Sequence, residues 1–224
     1  MKTKFTPEYS GTLRSHLLTV PKCISECGRI FGRRIKSLVF STDVAIIKNV
    51  NADAIIAVYP FTPQPSITQA IISVSEVPVF VGVGGGMTNG DRSVRLAEFS
   101  EHQGASGVVV NAPISNETIA KMKAVVDIPV VTTIVSGDMD IAGRLAAGAD
   151  ILNVSGASRT PEIVTKIRAE FPTVPIIATG GPREEDILRT IEAGANAITY
   201  TPPTTGQLFA DIMISHRKNF SHQD

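Results

Sequence analysis

The sequence predicts a closed (β/α)8 barrel, and the pattern of its buried segments is the main reason. Three segments combine a proline, a short β-branched run and a glycine-bearing end, as buried strands do: VPVFVGVGGG from Val77, IPVVTTIVSG from Ile128 and VPIIATGGP from Val174. Segments of a second class alternate with them. Each gap between neighbouring segments can hold the crossover helix that parallel strands require.

In the second class, small residues end a helix and a strand begins at once. Its members are NADAIIAVYP from Asn51, GASGVVVNAP from Gly104, GADILNVSGA from Gly148 and GANAITYTPP from Gly194. KSLVFSTD from Lys36 adds a first member to the other class, which makes eight strands. Alternate strands fill alternate interior layers of such a barrel, which explains two classes. An open doubly wound sheet is the alternative that this pattern leaves.

The segments between the strands have helical patterns. PREEDILRTIEAGA places the acidic residues 184–186 near the positive end of a helix dipole, ahead of an apolar stripe of Ile187, Leu188 and Ile191. SNETIAKMKAVV opens with Ser115 as a candidate N-cap, and Thr118 stands where a complete capping box would have Glu.

The chain length favours one domain. With 224 residues, 43% of them hydrophobic, the chain can bury a full core. We expect residues 1–34 to form an N-terminal helical extension. Within it, VPKCISECGRIFGRR is expected to be a short helix that covers the bottom of the barrel or a partner subunit. Residues 35–218 are expected to form the barrel.

The charge balance and the apolar runs exclude several partners. Lys+Arg and Asp+Glu number 21 each, so no overall field attracts nucleic acid or an anionic membrane. No apolar run approaches the length of a membrane span, and the first residues lack the apolar core of a signal peptide. Two cysteines are too few for a disulfide-stapled secreted fold. These features predict a cytoplasmic protein.

Ligands of this architecture bind at the mouth formed by the carboxyl ends of the strands, so candidate site residues are those that end strands. The ends are rich in hydroxyl and amide groups and poor in ionisable ones. The candidate substrate-binding residues are Tyr59, Asn111, Thr133, Asn153, Ser155 and Tyr200.

Asp43 is the candidate catalytic residue. It ends the first strand, where its carboxylate would face the mouth and apolar walls would raise its pKa for acid/base work. In STDVAIIKN, however, Ser41, Thr42 or Asp43 also fits the N-cap of the next helix, and both roles stay open. Asp138 in SGDMD is expected to be a cap rather than a catalyst.

The stretch ATGGPREED after the seventh strand is the candidate anion site, with Thr179, Gly180 and Gly181. Glycines bring backbone N–H groups close to a ligand, and the start of a helix favours negative charge. The alternative is that Gly180 and Gly181 only allow a tight strand-to-helix turn.

This double glycine, together with the run from Gly194 to Ile198, resembles the phosphate-binding (β/α)8 barrels. That group includes thiamine-phosphate and thiazole synthases, N-acetylmannosamine-6-phosphate epimerases and keto-deoxy-phosphogluconate aldolases. The resemblance implies a phosphate cup completed after the eighth strand. Here Pro202 and Pro203 lack backbone donors, so the cup would be built from residues 204–206, namely Thr204, Thr205 and Gly206.

Schiff-base chemistry and metal-dependent chemistry have weak signals. The aldolases among the barrels that this chain resembles use a lysine on strand six. No predicted strand of this chain ends in lysine. No pair of histidines with a carboxylate has metal-ligand spacing, so no metal site and no cofactor are predicted. Mg²⁺ bridged by a substrate phosphate is left open. The loop GVGGGMTNGDRS, with Gly84, Gly85 and Gly86, is a candidate second anion loop without dinucleotide spacing.

These features favour an enzyme that acts on a small phosphorylated or carboxylated metabolite, of lyase, isomerase or synthase type. A hydrolase on the same barrel and a non-catalytic barrel that binds a metabolite are the alternatives. The expected partner is a small anionic molecule, and a homo-oligomer is expected.

Overall fold

The computed structural model describes residues 18–26 and 35–220, and within them eight parallel strands close into a barrel in chain order. β1 pairs with β8, so the sheet has no edge, and the alternative of an open sheet is excluded. Each strand lies inside the segment predicted for it. The strands are β1 Ser37–Phe40, β2 Ala54–Ala57, β3 Val79–Gly84, β4 Gly107–Val110, β5 Val130–Ile134, β6 Ile151–Val154, β7 Ile176–Thr179 and β8 Ala197–Tyr200.

A helix follows each strand. The helices are α1 Val44–Lys48, α2 Pro65–Val74, α3 Asp91–His102, α4 Asn116–Lys123, α5 Ile141–Ala146, α6 Thr160–Glu170, α7 Glu184–Glu192 and α8 Thr205–Phe220, with 3-10 helices at Lys22–Glu26 and Ala157–Arg159. The predicted cap of α4 is confirmed, because the Ser115 hydroxyl accepts from the Thr118 N–H at 3.2 Å. Asp138 was expected to be a cap, but Asp140 caps α5, and the Asp138 carboxylate pairs with Lys166.

The barrel interior is filled by one layer of apolar side chains from all eight strands. Its members are Leu38, Ile56, Phe80, Val109, Val131, Ile151, Ile177 and Ala197, with Ile35 and Ala54 nearer the base. The base is the end at which the strands begin. Outward-facing residues pack against the helices in two further apolar clusters.

Polar side chains at the base connect neighbouring strands and explain three of the four segments of the second class. Asp53, Asp150 and Asn196 each stand one residue before an even-numbered strand. Their oxygens accept backbone N–H groups from the start of the adjacent odd-numbered strand: Ser37 at 3.0 Å, Val130 at 2.8 Å and Ile176 at 2.9 Å. The pattern of small residues and an acid or amide is therefore a cross-strand clamp.

The N-terminal segment reaches α7 from the base. Leu18 forms an isolated bridge with Val50, and Ile24 is buried beside α7. Residues 1–17 and 27–34 of the predicted extension lie outside the described residues, so its helical character and the domain division stay predictions. At the other terminus, α8 exposes Phe209 and Ile212. No helix in the described ranges is long and apolar enough to cross a membrane.

Candidate active site

Neutral polar side chains from the five neighbouring strands β4 to β8 form an arc at the floor of the barrel mouth. Asn111, Thr133, Asn153, Thr179 and Thr199 each stand two residues after a member of the interior apolar layer. Because strand side chains alternate with period two, these five point to the same side as that layer, one level closer to the mouth. We call them the polar floor. Four of them were predicted as site residues, and the structure brings them together.

Thr199 is the member that sequence reasoning missed. It lies opposite Thr179 in the pairing of β7 with β8, which was the available signal. Its hydroxyl is buried and has no hydrogen-bond partner within the described part of the chain. By contrast, Asn153 donates to the Thr133 hydroxyl at 3.3 Å. The Thr199 hydroxyl is therefore a buried polar group at the floor that the described chain does not satisfy.

Arg144 positions the loop that carries Asn111, and the sequence did not indicate it. Its guanidinium, on α5, is buried and donates to the carbonyl oxygens of Ala112, at 2.8 Å, and Ile114. Burial lowers the pKa of Arg144, against a smaller opposing effect of Asp140. The carbonyl contacts hold the start of the β4–α4 loop.

Asp43 is an N-cap with an additional contact. Its carboxylate accepts from the N–H groups of Ala45, at 2.9 Å, and Ile46, at 3.3 Å, and the Thr205 hydroxyl donates to it. The Thr205 hydrogen bond is the largest effect and holds the pKa of Asp43 below its usual value, with support from the two backbone bonds. The expectation of a raised pKa was therefore wrong, because hydrogen bonds to the charged form outweigh desolvation. The acid/base role itself stays a prediction.

The start of α8 is occupied by its own side chains. Thr204 and Gln207 form a reciprocal cap: the Thr204 N–H donates to Gln207 Oε1 at 2.8 Å, and the Gln207 N–H donates to Thr204 Oγ1 at 3.2 Å. Thr205 donates to Asp43. A phosphate at Thr204, Thr205 and Gly206 would compete with these contacts, so this part of the cup stays a prediction.

Gly180 and Gly181 differ in their surroundings. The Gly180 N–H donates to the Thr199 carbonyl at 3.3 Å. A Cβ atom at this residue would lie 2.7 Å from Ile187 and 2.8 Å from Ile198. Gly180 is thus required by close packing, and Gly181, with φ +83°, has the conformation of the tight turn that was the alternative to anion binding. Gly181 is exposed and lines a groove of about 830 Å³ together with Thr179 and Thr199.

The electrostatics of this groove do not favour a phosphate. Glu184 and Asp211 line it, and no basic residue of the described ranges does. Arg183 and Arg189, the nearby cations on α7, both pair with Asp186. Arg183 first and Arg189 second lower the pKa of Asp186. The positive end of the α7 dipole therefore already has acidic side chains beside it.

Three other predicted residues lie away from the polar floor. Tyr200 faces outward and packs against both outer apolar clusters. Ser155 is exposed beyond the end of β6. The Tyr59 hydroxyl accepts from the Gln64 N–H at 2.8 Å, which fixes the β2–α2 loop, while its ring lines the mouth. Direct contact of Tyr200 with a ligand on the floor would require the side chain to turn around.

The glycine-dense loop after β3 folds against β4. The Gly85 N–H donates to the Thr88 carbonyl at 2.9 Å, and the Asn111 N–H donates to the Gly84 carbonyl at 2.9 Å. Gly85 has φ +96°, and a Cβ atom there would lie 2.5 Å from the Asn111 nitrogen. These glycines are required by the close approach of two backbones. Gly86 is exposed, and a second anion site at residues 84–86 stays a prediction.

Two adjoining cavities lie over the strand ends, and we call them the chamber. The larger, of about 560 Å³, is lined by residues of the β1, β2 and β8 loops, including Phe40 and Asp43. The smaller, of about 240 Å³, lies between the β2 and β3 loops. Both are lined by Asn111, so the chamber reaches the polar floor.

A protein-built metal site does not fit these residues. No group of three or more His, Cys, Asp or Glu side chains could hold an ion in the part of the chain that the structure describes. Asp43 is the one acidic residue lining the chamber there, and its oxygens already accept three hydrogen bonds. Mg²⁺ bridged by a substrate stays open, as it was from the sequence.

No family model and no curated protein matches the chain. Solved structures do resemble it. One is a "putative phosphonomutase" from Burkholderia cenocepacia, with TM-score 0.65 and 16% identity over 92% of this chain and 96% of the other. Another is 2,3-dimethylmalate lyase, named as a PEP mutase/isocitrate lyase superfamily member, with TM-score 0.62 and 12% identity over 83% and 81%.

A third is phosphonopyruvate hydrolase in complex with oxalate and Mg²⁺, with TM-score 0.59 and 15% identity over 83% of this chain and 81% of the other. At such identities the likeness shows the fold alone. It confirms the (β/α)8 barrel fold and does not single out the phosphate-binding families that the sequence resembles.

Proposed function

We propose that this barrel is an enzyme that acts on a small metabolite bearing a carbonyl or carboxylate group, by lyase, isomerase or synthase chemistry without a Schiff base. The observation that carries the proposal is the polar floor, where the buried Thr199 hydroxyl has no partner among the described residues. A buried hydroxyl without a partner costs about 1–3 kcal/mol. A ligand oxygen over the floor would remove that cost.

A carboxylate or carbonyl suits this site better than a phosphate. The floor offers neutral donors, and the two helix starts that could bind a phosphate are occupied by Asp186 and by the Asp43–Thr205 contact. Oxalate, the ligand named with one structural neighbour, is a small dicarboxylate. This supports the same class of ligand for this chain.

The residues present suit proton transfer next to a carbonyl group. The ionised Asp43 carboxylate would take a proton from the carbon beside the carbonyl, so that the C–H bond breaks and an O–H bond forms. The negative charge that develops on the carbonyl oxygen would be stabilised by the hydroxyl and amide donors of the floor. Asp43 and Asn111 line the same cavity, so the carboxylate that would take the proton and one of the amide donors face the same space.

A titration with oxalate tests ligand binding. Thr199→Val removes the floor hydroxyl, and Thr132→Val is the matched control, since Thr132 is also buried without a hydroxyl partner but faces outward on β5. We expect oxalate affinity to fall about 3–10-fold in Thr199→Val, as for the loss of one hydrogen bond. It should be unchanged in Thr132→Val. No oxalate binding by the wild type at millimolar concentration would contradict the proposal.

A non-catalytic metabolite-binding barrel is the second candidate, because Asp43 is engaged as a cap and by Thr205. Exchange of the methyl protons of pyruvate with deuterated water, followed by NMR, distinguishes the two candidates. For an enzyme we expect exchange above the buffer rate that is lost in Asp43→Asn, while oxalate still binds. If the wild type exchanges the protons no faster than Asp43→Asn does, the non-catalytic barrel is supported.

We also propose that the chain is a homo-oligomer; the cytoplasmic location expected from the sequence stays a prediction. The support is α8, on which Phe209, Ile212 and Ile214 are 65%, 55% and 48% exposed. Large apolar side chains clustered on one element indicate a contact surface. Light scattering coupled to size exclusion would give the mass in solution, and a monomer at micromolar concentration would contradict this proposal.

A further inference from the structure

The chamber has an apolar side that the proposed chemistry does not use. Its smaller cavity is lined mainly by Val58, Tyr59, Pro60, Phe61, Pro63 and Met87. No charged side chain of the described residues lines this cavity. Its polar lining groups, apart from the Tyr59 hydroxyl, are Thr62, Thr88 and Asn111. We call the six residues the apolar wall.

Two side chains of the apolar wall are largely exposed to solvent although both are large and apolar. Phe61 is 70% exposed and Met87 is 85% exposed. They come from different loops, β2–α2 and β3–α3, and line the same cavity. Neither belongs to an apolar cluster of the core. Large apolar side chains that converge on a concave site favour burial of an apolar ligand group.

The loops behind the wall are held in place. The Tyr59 hydroxyl accepts from the Gln64 N–H at 2.8 Å, and the Gln103 side chain donates to the Pro65 carbonyl at 3.0 Å. On the other side, the Thr88 carbonyl accepts from the Gly85 N–H and from the Ser93 hydroxyl. A preformed wall binds a ligand group without the entropic cost of ordering loops.

The apolar wall is continuous with the polar floor. Val58, Tyr59, Pro60 and Asn111 line both cavities of the chamber, and Val58 also packs on the interior apolar layer. A single ligand can therefore contact the floor and the wall. A cavity of about 150 Å³ is known to hold benzene, so the smaller cavity, at about 240 Å³, has room for a phenyl ring.

We propose that the apolar wall is a specificity subsite for an uncharged aromatic or branched hydrocarbon substituent of the substrate. The inference rests on the proposed function and narrows its substrate class. The substrate would be an amphipathic carboxylate or oxo acid, with its polar end on the floor and its hydrocarbon group against Phe61 and Met87. A larger protein partner is disfavoured, because the cavity is a small concave site between the β2–α2 and β3–α3 loops.

Three probes test this assignment: pyruvate, phenylpyruvate, which adds a phenyl ring, and benzyl alcohol, which has the ring without the carboxylate. We expect phenylpyruvate to bind about ten-fold more tightly than pyruvate or better, from burial of the ring. Phe61→Ser and Met87→Ser should each reduce this advantage at least three-fold, about the loss of one partial apolar contact, and leave pyruvate affinity unchanged. Phe99→Ser, at a phenylalanine on α3 that is 48% exposed and lines neither cavity, should change neither affinity.

The outcomes separate this inference from the proposed function. Equal affinity for pyruvate and phenylpyruvate would overturn the inference, as would an advantage that Phe61→Ser and Met87→Ser do not reduce. If benzyl alcohol shifts the NMR signals of Phe61 and Met87 while no oxo acid binds, the subsite is supported and the proposed polar chemistry fails. Binding of neither benzyl alcohol nor phenylpyruvate would overturn the subsite.

Discussion

The base and the mouth of this barrel use polar side chains in opposite ways. At the base, the Asp150 carboxylate accepts from the Val130 N–H at 2.8 Å and from Lys123 at 2.9 Å. At the mouth, the Thr199 hydroxyl has no partner within the described residues, and Asn153 has a single long bond of 3.3 Å. The clamp groups at the base are thus satisfied by the chain itself, whereas the floor of the mouth includes a hydroxyl that the described chain does not satisfy.

This difference follows from what each end must do. Strand starts at the base need their backbone N–H groups satisfied, and a side chain one residue ahead of the next strand reaches them. Under the proposed function, strand ends at the mouth keep polar groups available to a ligand, at the cost of some stability there. Substitutions at the base should therefore affect stability, and most substitutions at the mouth should affect binding.

Gly85→Ala is the expected exception at the mouth, and it has the largest predicted effect. Its Cβ atom would lie 2.5 Å from the Asn111 nitrogen, at a residue with φ +96°. We expect a loss of about 3 kcal/mol or more in the free energy of unfolding, from strain and overpacking. Gly86→Ala is the control, because nothing lies within 4 Å of its Cβ position. Chemical denaturation measures both, and equal stability would show that the two backbones can separate easily.

Asp150→Ala should cost about 2 kcal/mol, because it removes a charge-assisted acceptor and leaves the Val130 N–H without its partner. Asp150→Asn should cost less than about 1 kcal/mol, since an amide oxygen can accept the same N–H. Asn196 already performs this task at Ile176. Oxalate affinity should be unchanged in both variants. A change in affinity without a change in stability would contradict the separation of base and mouth.

Asp43→Ala should cost about 1 kcal/mol at neutral pH, the usual cost of losing an N-cap. The pKa of Asp43 is lowered in the folded state by the Thr205 hydrogen bond and by the capped N–H groups. The stabilisation from the carboxylate is therefore present above the unfolded pKa of about 4. It is lost as the pH falls through the folded value.

The difference in stability between wild type and Asp43→Ala should accordingly shrink in acid, which denaturation at pH 7 and pH 3 would show. Asp43→Asn keeps an acceptor for the Ala45 and Ile46 N–H groups and serves as the control. A difference that grows in acid would mean that the carboxylate is not stabilised by these contacts.

The smallest effects are expected for Thr132→Val and Thr199→Val. Each removes a buried hydroxyl that has no partner in the described structure, so each should raise the free energy of unfolding by about 1 kcal/mol, the low end of the cost of such a group. Thermal denaturation measures this gain. If Thr199→Val lowers stability while Thr132→Val raises it, an ordered water already satisfies the Thr199 hydroxyl, and the comparison of base and mouth weakens.

The local patterns that predicted the barrel are each set by a few neighbouring residues. A proline followed by a β-branched run, or a small residue followed by an acid or amide, acts within one strand or one turn. Because the carboxyl ends of all eight parallel strands meet at the mouth, Asn111, Thr133, Asn153 and Thr179 could be expected there. Thr199 was not predicted because it lies within the segment predicted to be a strand rather than after it, and no glycine stands beside it.

The sequence by itself determined the eight strands, their order, the Ser115 cap and the neutral, hydroxyl-rich composition of the mouth. Only the tertiary structure decided how the polar groups are used. It placed Asp43 beside Thr205, 162 residues away, turned Tyr200 outward, and packed Gly180 against Ile187 and Ile198. Periodicity depends on neighbours along the chain, whereas a pKa, a free amide or a cavity depends on side chains that only the closed barrel brings together.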